Sequence, residues 1–520
     1  MSKALLPETV PCSLIPVPCF FEVPMSHPTY QNLIGGQWLP AASGKTILNL
    51  NPADHTDVVG AFPSSHAEDV VLAVAAAKKA FATWRLVPAP KRAEILVRAG
   101  LLLKERKEKY AREMTREMGK VLTETRGDVQ EAIDEAFYVA GEGRRLFGQT
   151  TPSELQNKFA MSVRMPVGVV GLITPWNFPM AIPSWKLFPA LVCGNTCVIK
   201  PATDTPLSTY NLVAALVDAG LPPGVVNIVT GSGSTVGSAL VEHPDVRAIS
   251  FTGSSAVGSL VAQRAAIAFK PVSLEMGGKN AQIVMDDANL ELALDGALWG
   301  SFGTTGQRCT ATSRILLQKG IAEKFTAEFV TRARKLKVGN GLDESVEVGP
   351  QVNPSQIETS VKYVEIALNE GAKLLTGGHV LTEVSYAHGT FFEPTVIGSV
   401  TPSMRIAREE VFGPVVSLIE FESFEEAIEI ANSIDYGLST ALYTKNVNRA
   451  FTAIRDLESG ITYINAPTIG AEVHLPFGGV KHTGNGHREG NGAIDFFTTW
   501  KAVYIDYSDK LQRAQIDNAE

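Results

Sequence analysis

With 520 residues, 45% hydrophobic and 19% charged, the chain is too long for one compact core and has an ordinary globular composition. Its net charge of −8 comes from interspersed acidic and basic residues, which excludes the basic face that nucleic acid binding requires. Five cysteines (Cys12, Cys19, Cys193, Cys197 and Cys309) are too few for a disulfide framework, so a reducing, cytoplasmic setting is expected.

Residues 1–28 read as a disordered leader. Prolines at 7, 11, 16, 18 and 24 break any apolar helix and Lys3 alone supplies positive charge, so no secretory signal is expected, and Met25 is an alternative start. Asn32-Leu-Ile-Gly-Gly-Gln-Trp-Leu-Pro40 reads as a short hairpin. Ser65 with Glu68 forms a capping box that opens an alanine-rich helix ending at Trp84. Helical patterns follow at Lys91–Tyr110 and Asp128–Leu146. The uncharged run Met165–Pro179 extends to Trp185 but carries Pro166, Pro175, Pro179 and Pro183, which excludes a transmembrane helix.

From residue 164, runs rich in Val and Ile at Val167–Ile173, Thr196–Ile199, Val225–Val229 and Ala248–Phe251 alternate with helical patterns at Leu207–Ala219, Val236–His243 and Ala256–Ala268. That βαβ rhythm predicts an α/β fold with a mainly parallel sheet covered on both faces. A second α/β series runs from Glu275 to Asn465. Phe496–Tyr507 reads as a strand outside either core, an edge strand or an oligomer contact.

Four stretches carry chemistry. Gly231-Ser-Gly-Ser-Thr-Val-Gly237 follows one strand, and Phe251-Thr-Gly-Ser-Ser-Ala-Val-Gly258 spans the next turn. Glycines there let the backbone approach a phosphate at a helix N-terminus, although one such turn alone has a plain structural reading. Thr174-Pro-Trp-Asn-Phe-Pro179 holds Asn177 between prolines, as a turn residue or as a fixed amide donor for an oxyanion. Gly306-Gln-Arg-Cys309-Thr places Cys309 among small and polar residues, where the neighbouring Arg308 would favour thiolate. Leu274-Glu-Met-Gly-Gly-Lys279 sets Glu275 between apolar residues and a glycine turn, as a desolvated general base or a carboxylate in a salt bridge. Cys193 and Cys197 lie in an apolar run and read as small buried residues.

Together with Lys200-Pro-Ala, Glu410-Val-Phe-Gly-Pro414 and Pro476-Phe-Gly-Gly479, these stretches in this order resemble the NAD(P)-dependent aldehyde dehydrogenase superfamily, from about residue 30 onward. The resemblance implies a Rossmann-like cofactor-binding domain at 29–274, interrupted by a bridging strand segment near 145–164. It further implies an α/β catalytic domain at 275–475, and a return to the cofactor domain at 476–520 with a small β oligomerisation extension. Cys309 would be the nucleophile, Asn177 and the Cys309 backbone N–H the oxyanion donors, worth ~3–4 kcal/mol each, and Glu275 the base that hydrolyses the thioester. Thr174, Pro175, Trp176, Lys200, Ala202, Thr203, Gly231, Gly253, Ser254, Gly258, Met276, Glu410 and Phe412 would surround NAD(P)+. Phe178, Trp185, Arg308 and Thr310 would meet the aldehyde. No metal is implied. The implied partners are a small aldehyde and further copies of the chain, as homodimer or homotetramer, with no nucleic acid and no membrane.

Family members that prefer NAD often carry glutamate three residues after the lysine, where it repels a 2′-phosphate. Thr203 stands there in this chain, so acceptance of NADP+ is expected and a preference for it is allowed. Gly306-Gln-Arg-Cys-Thr-Ala-Thr-Ser313 is similar to 2-oxoglutarate semialdehyde dehydrogenases. Ile464-Asn-Ala-Pro-Thr-Ile-Gly-Ala-Glu472 resembles the carboxylate-anchoring loop of aminoadipate semialdehyde dehydrogenases. Arg308 would face a distal carboxylate or turn away into a salt bridge, and Trp185 replaces the arginine of succinate-semialdehyde enzymes. Two alternatives are a CoA-acylating semialdehyde dehydrogenase, which usually lacks the glutamate at 275, and a non-catalytic crystallin-like member, which would have a damaged Cys–Glu–Asn set. His487 is an extra residue in Thr483-Gly-Asn-Gly-His-Arg-Glu489, and nothing in the sequence explains it.

Overall fold

A computed structural model describes residues 27–517. The leader expected at 1–28 therefore lies outside the described residues except for its last two positions.

The fold is α/β, built on two seven-stranded sheets. In the first, Val272–Glu275, Val246–Thr252, Val169–Ile173, Thr196–Lys200 and Val226–Ile228 lie parallel in that order, and the hairpin Asn32–Ile34 and Gln37–Leu39 closes the edge antiparallel. Alternation along a strand decides which core each side chain joins. Val170 and Leu172 pack with Leu187, Phe188 and Leu212, while Val169 and Ile173 pack on the other face with Val70, Val74 and Leu240. Both faces are thus covered by helices, which is why these strands read as nearly continuous apolar runs.

The second sheet runs Lys373–Thr376, Thr395–Gly398, Val415–Phe421, Thr312–Gln318, Asn280–Val284, Ser439–Tyr443 and Ile461–Ile464, parallel apart from the first. A third, antiparallel sheet joins Thr498–Asp506 to Lys158–Pro166 and Gln149–Pro152. Trp500, Tyr504 and Ile505 are exposed on it. Among the described residues, no helix is long and apolar enough to cross a membrane.

Three local expectations are corrected. The first helix spans Ala67–Trp84, but its cap is His66, whose backbone N–H donates to Asp69 at 3.0 Å. Ser65 is taken instead by Asn32, whose side-chain amide donates to the Ser65 hydroxyl at 2.7 Å. The single helix expected over Lys91–Tyr110 is two, Ala89–Glu105 and Lys107–Met118, broken at Arg106, which reaches across to Asp218 at 2.7 Å. The helix expected at Asp128–Leu146 spans Leu122–Glu142. Its second turn contains Gly127 and its N-terminus lacks a side-chain cap, so the sequence understates it. That early start brings Glu124, Asp128 and Glu131 to one face of the helix.

Candidate active site

The helix Leu290–Phe302 gives way to a tight loop in which Thr304, Thr305 and Gly306 all have left-handed backbones, with φ of 52°, 57° and 68°. For non-glycine residues that conformation costs roughly 1–2 kcal/mol each, so other contacts must hold it. Glu124 accepts the Thr304 backbone N–H on both carboxylate oxygens at 2.8 Å, and the Arg308 guanidinium at 2.8 Å. Gly306 has no room for a side chain, because a Cβ there would lie 2.2 Å from the Gly413 carbonyl oxygen. Beyond the loop, Asn280 donates to the carbonyls of Cys309 at 2.7 Å and Ala311 at 2.9 Å. The cysteine is therefore fixed from both sides by residues distant in sequence.

Asn177 lies in the turn after Val169–Ile173, and its amide donates to the Gln307 carbonyl at 3.0 Å. One N–H is thereby used to aim the side chain, leaving the other for a ligand. Glu275 ends the strand Val272–Glu275, where its carbonyl accepts the Gly253 N–H at 3.1 Å. Its buried carboxylate oxygens accept no well-formed hydrogen bond. Burial and then the nearby Glu489 raise its pKa well above the carboxylate range, and Lys186, Arg488 and the Gly479 amide offset this only in part. Lys186 itself is ion-paired to Glu489 and donates to Ser250 at 2.9 Å.

The expectation that Arg308 favours a Cys309 thiolate does not hold. Arg308 turns into its salt bridge with Glu124 and lies 5.4 Å from the Phe178 ring and 5.8 Å from Trp299. Burial pushes the Cys309 thiol up to about 12, and the carboxylates of Glu410 and Glu275 add to the effect. The resting thiol is protonated, and a base must take its proton.

Two cavities meet at this sulfur. One is lined by Pro175, Trp176, Asn177, Thr252, Gly253, Ser254, Met276, Glu410 and Phe412. The other is lined by Phe178, Trp185, Glu275, Trp299, Arg308, Thr310 and Phe477, with Glu124, Asp128 and Glu131. Cys309, Ile182, Thr252 and Met276 belong to both. Trp185 meets Phe477 edge-on at 5.4 Å, and the Thr310 carbonyl accepts the Thr468 hydroxyl at 2.6 Å.

The first cavity suits a dinucleotide. Lys200 is buried, donates only to the adjacent Pro201 carbonyl at 2.6 Å, and is lowered to about 8 by desolvation. A buried cation without a hydrogen-bonded carboxylate is matched to phosphate or ribose oxygens. Thr174 donates its N–H to the Lys200 carbonyl at 3.2 Å, and the Thr203 hydroxyl donates to the Gly231 carbonyl at 3.3 Å. Ala202 is buried beside them. Gly231 has φ of 141°, and a Cβ there would sit 3.0 Å from the Ser65 carbonyl oxygen. The Ser254 hydroxyl caps helix Ser255–Ala266, and a Cβ on Gly258 would strike the Met276 sulfur. Glu410 accepts the Gly278 N–H at 2.8 Å, and burial raises it to about 7. Phe412, with φ of 56°, meets Trp176 edge-on at 5.2 Å. Lys200, Ala202, Thr203, Gly231 and Gly258 do not line the cavity at Cys309 itself.

Glu124, Asp128, Glu131, Asn280 and the Lys186–Glu489 pair escaped the sequence reading. Glu489 lies in a stretch that drew notice only for His487, which packs against Phe496 at 5.2 Å. The others carry no local motif, and only long-range contacts reveal them.

Comparison with known proteins places the chain in a family. Residues 38–503 match the model described as "Aldehyde dehydrogenase family". The chain is 44% identical over 478 residues to an alpha-ketoglutaric semialdehyde dehydrogenase of Bacillus subtilis, covering 92% of this chain and 98% of that protein. It is 43% identical over 485 residues to an alpha-ketoglutarate semialdehyde dehydrogenase of Haloferax volcanii, covering 93% and 100%. A crystal structure of betaine aldehyde dehydrogenase from Staphylococcus aureus in complex with NAD+ superposes with a TM-score of 0.91 at 35% identity, covering 94% of this chain and 97% of that one.

Proposed function

The chain belongs to the aldehyde dehydrogenase family and oxidises an aldehyde to an acid with NAD(P)+, and we propose that Cys309, Asn177 and Glu275 carry the chemistry. The observation behind this assignment is that Cys309 lines two cavities at once, with Asn177 in one and Glu275 in the other.

The Cys309 sulfur bonds to the carbonyl carbon as its proton passes to Glu275. The new alkoxide is held by the free Asn177 N–H and the Cys309 backbone N–H. Collapse of that alkoxide expels a hydride and leaves a thioester on Cys309; a nicotinamide dinucleotide, when bound, would supply the acceptor for that hydride. Once Glu275 has lost its first proton to solvent, it takes another from a water that attacks the thioester. Cys309 departs and the acid is released. A high carboxyl pKa suits both transfers. Glu410 and Phe412 would hold the nicotinamide end of the dinucleotide, and Trp176, Lys200 and the glycine turns the adenosine end.

The substrate is a carboxylate-bearing semialdehyde. The names of the two relatives support this reading, and the second cavity has both aromatic and polar walls. NADP+ is accepted, and preferred over NAD+, because Thr203 adds no carboxylate at the position three residues after Lys200; Asp204 acts on Lys200 through its charge alone and accepts the Asn353 amide at 3.0 Å. A second copy of the chain covers the exposed Trp500, Tyr504 and Ile505, making a dimer or tetramer. A cytoplasmic location fits the free Cys193, Cys197 and Cys309.

Steady-state assays of 2-oxoglutarate semialdehyde, aminoadipate semialdehyde and uncharged aldehydes, each with NAD+ and NADP+, test the reading. The expected result is the highest kcat/KM for a carboxylate-bearing aldehyde, without added CoA. A turnover that requires CoA would overturn the hydrolytic role of Glu275.

A further inference from the structure

The cavity that would receive the aldehyde holds no uncommitted cation among its described wall residues. Arg308 is engaged by Glu124 and by the Thr304 hydroxyl at 2.8 Å. Lys120, behind Phe178, is paired with Asp128 at 2.7 Å and capped on the Phe178 ring at 3.5 Å from its centroid. Lys186 is committed to Glu489. A substrate carboxylate entering this space finds its positive charges already neutralised, so its recognition must come from a neutral donor.

Several polar groups on the wall have no hydrogen-bond partner: the Trp185 indole N–H, the Thr252 hydroxyl and the Glu275 carboxyl close to Cys309, and the carboxyl of Glu131 on the helix that carries Glu124 and Asp128. Glu131 lines the cavity, two turns along helix Leu122–Glu142 from Glu124 and one from Asp128, and its half-buried carboxyl makes no hydrogen bond or ion pair. Resting on the substrate class proposed above, we propose that Glu131 recognises the distal carboxylate of the semialdehyde by donating a hydrogen bond from its carboxylic acid O–H. An acid O–H to a carboxylate is a short, charge-assisted bond, and an apolar site can keep a carboxylic acid neutral for this purpose.

The surroundings supply the proton. Burial raises Glu131 to about 8, and Asp128 and Asp134 on its own helix add to this, while Lys120 and Arg308 pull it down. Glu135, one turn on, is buried, and desolvation raises its pKa well above the usual carboxylate range, with Glu131 and Glu489 contributing. At neutral pH Glu131 is therefore a donor. Above about pH 8 it becomes an anion that repels the ligand.

The test compares Michaelis constants for two aldehydes of the same length, the anionic semialdehyde derived from 2-oxoglutarate and an uncharged analogue, across the range from about pH 6.5 to about pH 9.5 on either side of the Glu131 titration. Dividing the anionic value by the uncharged one cancels titration of Cys309 and Glu275, which serve both substrates. In the wild type the ratio rises about tenfold for each unit above the Glu131 pKa. In Glu131→Gln, which keeps a donor but cannot ionise, the ratio stays low and flat. In Glu131→Leu it is raised at every pH by about 10- to 100-fold, as expected for a lost hydrogen bond to a charged group. A flat wild-type ratio, or Glu131→Gln matching Glu131→Leu, overturns the proposal. So does an ω-amino aldehyde that binds the wild type tightly and Glu131→Gln poorly. If the wild type shows no preference for the anionic aldehyde at neutral pH, the substrate class itself is wrong.

Discussion

The Glu124 carboxylate holds the Arg308 guanidinium at 2.8 Å, although 184 residues separate them in the chain. The same carboxylate takes the Thr304 N–H on both oxygens, so one acidic side chain anchors the left-handed loop that presents Cys309. Glu124→Ala is expected to lower stability by about 3 kcal/mol, because it strands a partly buried guanidinium and a strained backbone. It should also cut kcat by letting the loop relax. Urea denaturation together with steady-state kinetics checks both effects, and wild-type values for either would remove Glu124 from this role.

Cys309→Ala removes the nucleophile and should abolish dehydrogenase activity while leaving the fold intact. Glu275→Gln removes both the acceptor of the Cys309 proton and the base for hydrolysis, so NAD(P)H formation should be slowed and limited to at most one equivalent per site under rapid mixing, with no steady-state turnover. Full steady-state turnover in Glu275→Gln would exclude its hydrolytic role.

Thr203→Glu introduces a carboxylate beside Lys200 and should shift the ratio of kcat/KM for NADP+ over NAD+ downward by at least about tenfold, since like charges placed together cost more than ~1.4 kcal/mol. The wild-type preference should also weaken as pH rises past about 8, where the Lys200 ammonium loses its proton. Coenzyme titrations at pH 7 and 9 measure both.

Glu135 has both carboxylate oxygens buried without hydrogen-bond partners, and desolvation raises its pKa well above the usual range. The folded protein therefore retains a proton that the unfolded chain releases near pH 4.5. The sign follows from linkage: stability is highest below that value and falls as pH rises toward the folded pKa. Glu135→Gln carries no ionisable group, so its advantage should grow from near zero at pH 4.5 to at least ~1 kcal/mol at pH 8. Unfolding midpoints that differ equally at both pH values would refute this account.

Gly306→Ala must place a methyl group 2.2 Å from the Gly413 carbonyl oxygen at a φ of 68°. The expected outcome is a loss of about 2–3 kcal/mol with displacement of Cys309, seen as slower thiol modification by iodoacetamide and lower kcat. Unchanged kinetics would mean that the loop is more pliant than its geometry implies.

Local pattern was enough for the central strands, because Val, Ile and Leu runs between glycine turns leave few alternatives to a buried parallel sheet. It marked Cys309, Glu275 and Asn177 only as candidates, each with a structural alternative, and the resemblance of the ordered motifs to the aldehyde dehydrogenase family supplied their roles. It was not enough for Ser65, whose capping capacity depends on whether Asn32 arrives first, nor for the break at Arg106, which answers to Asp218 on another helix.

The amino-acid order by itself determined the α/β layering and pointed to the candidate reactive groups, since periodicity and turn chemistry are local. Tertiary structure alone decided what those groups can do. It turned Arg308 away from the sulfur and into Glu124, buried Glu275 beside Glu489, and left Glu131 without a partner at the cavity wall. Each of these outcomes is a matter of desolvation and charge pairing between residues far apart in the chain, and those energies exist only once the chain has closed on itself.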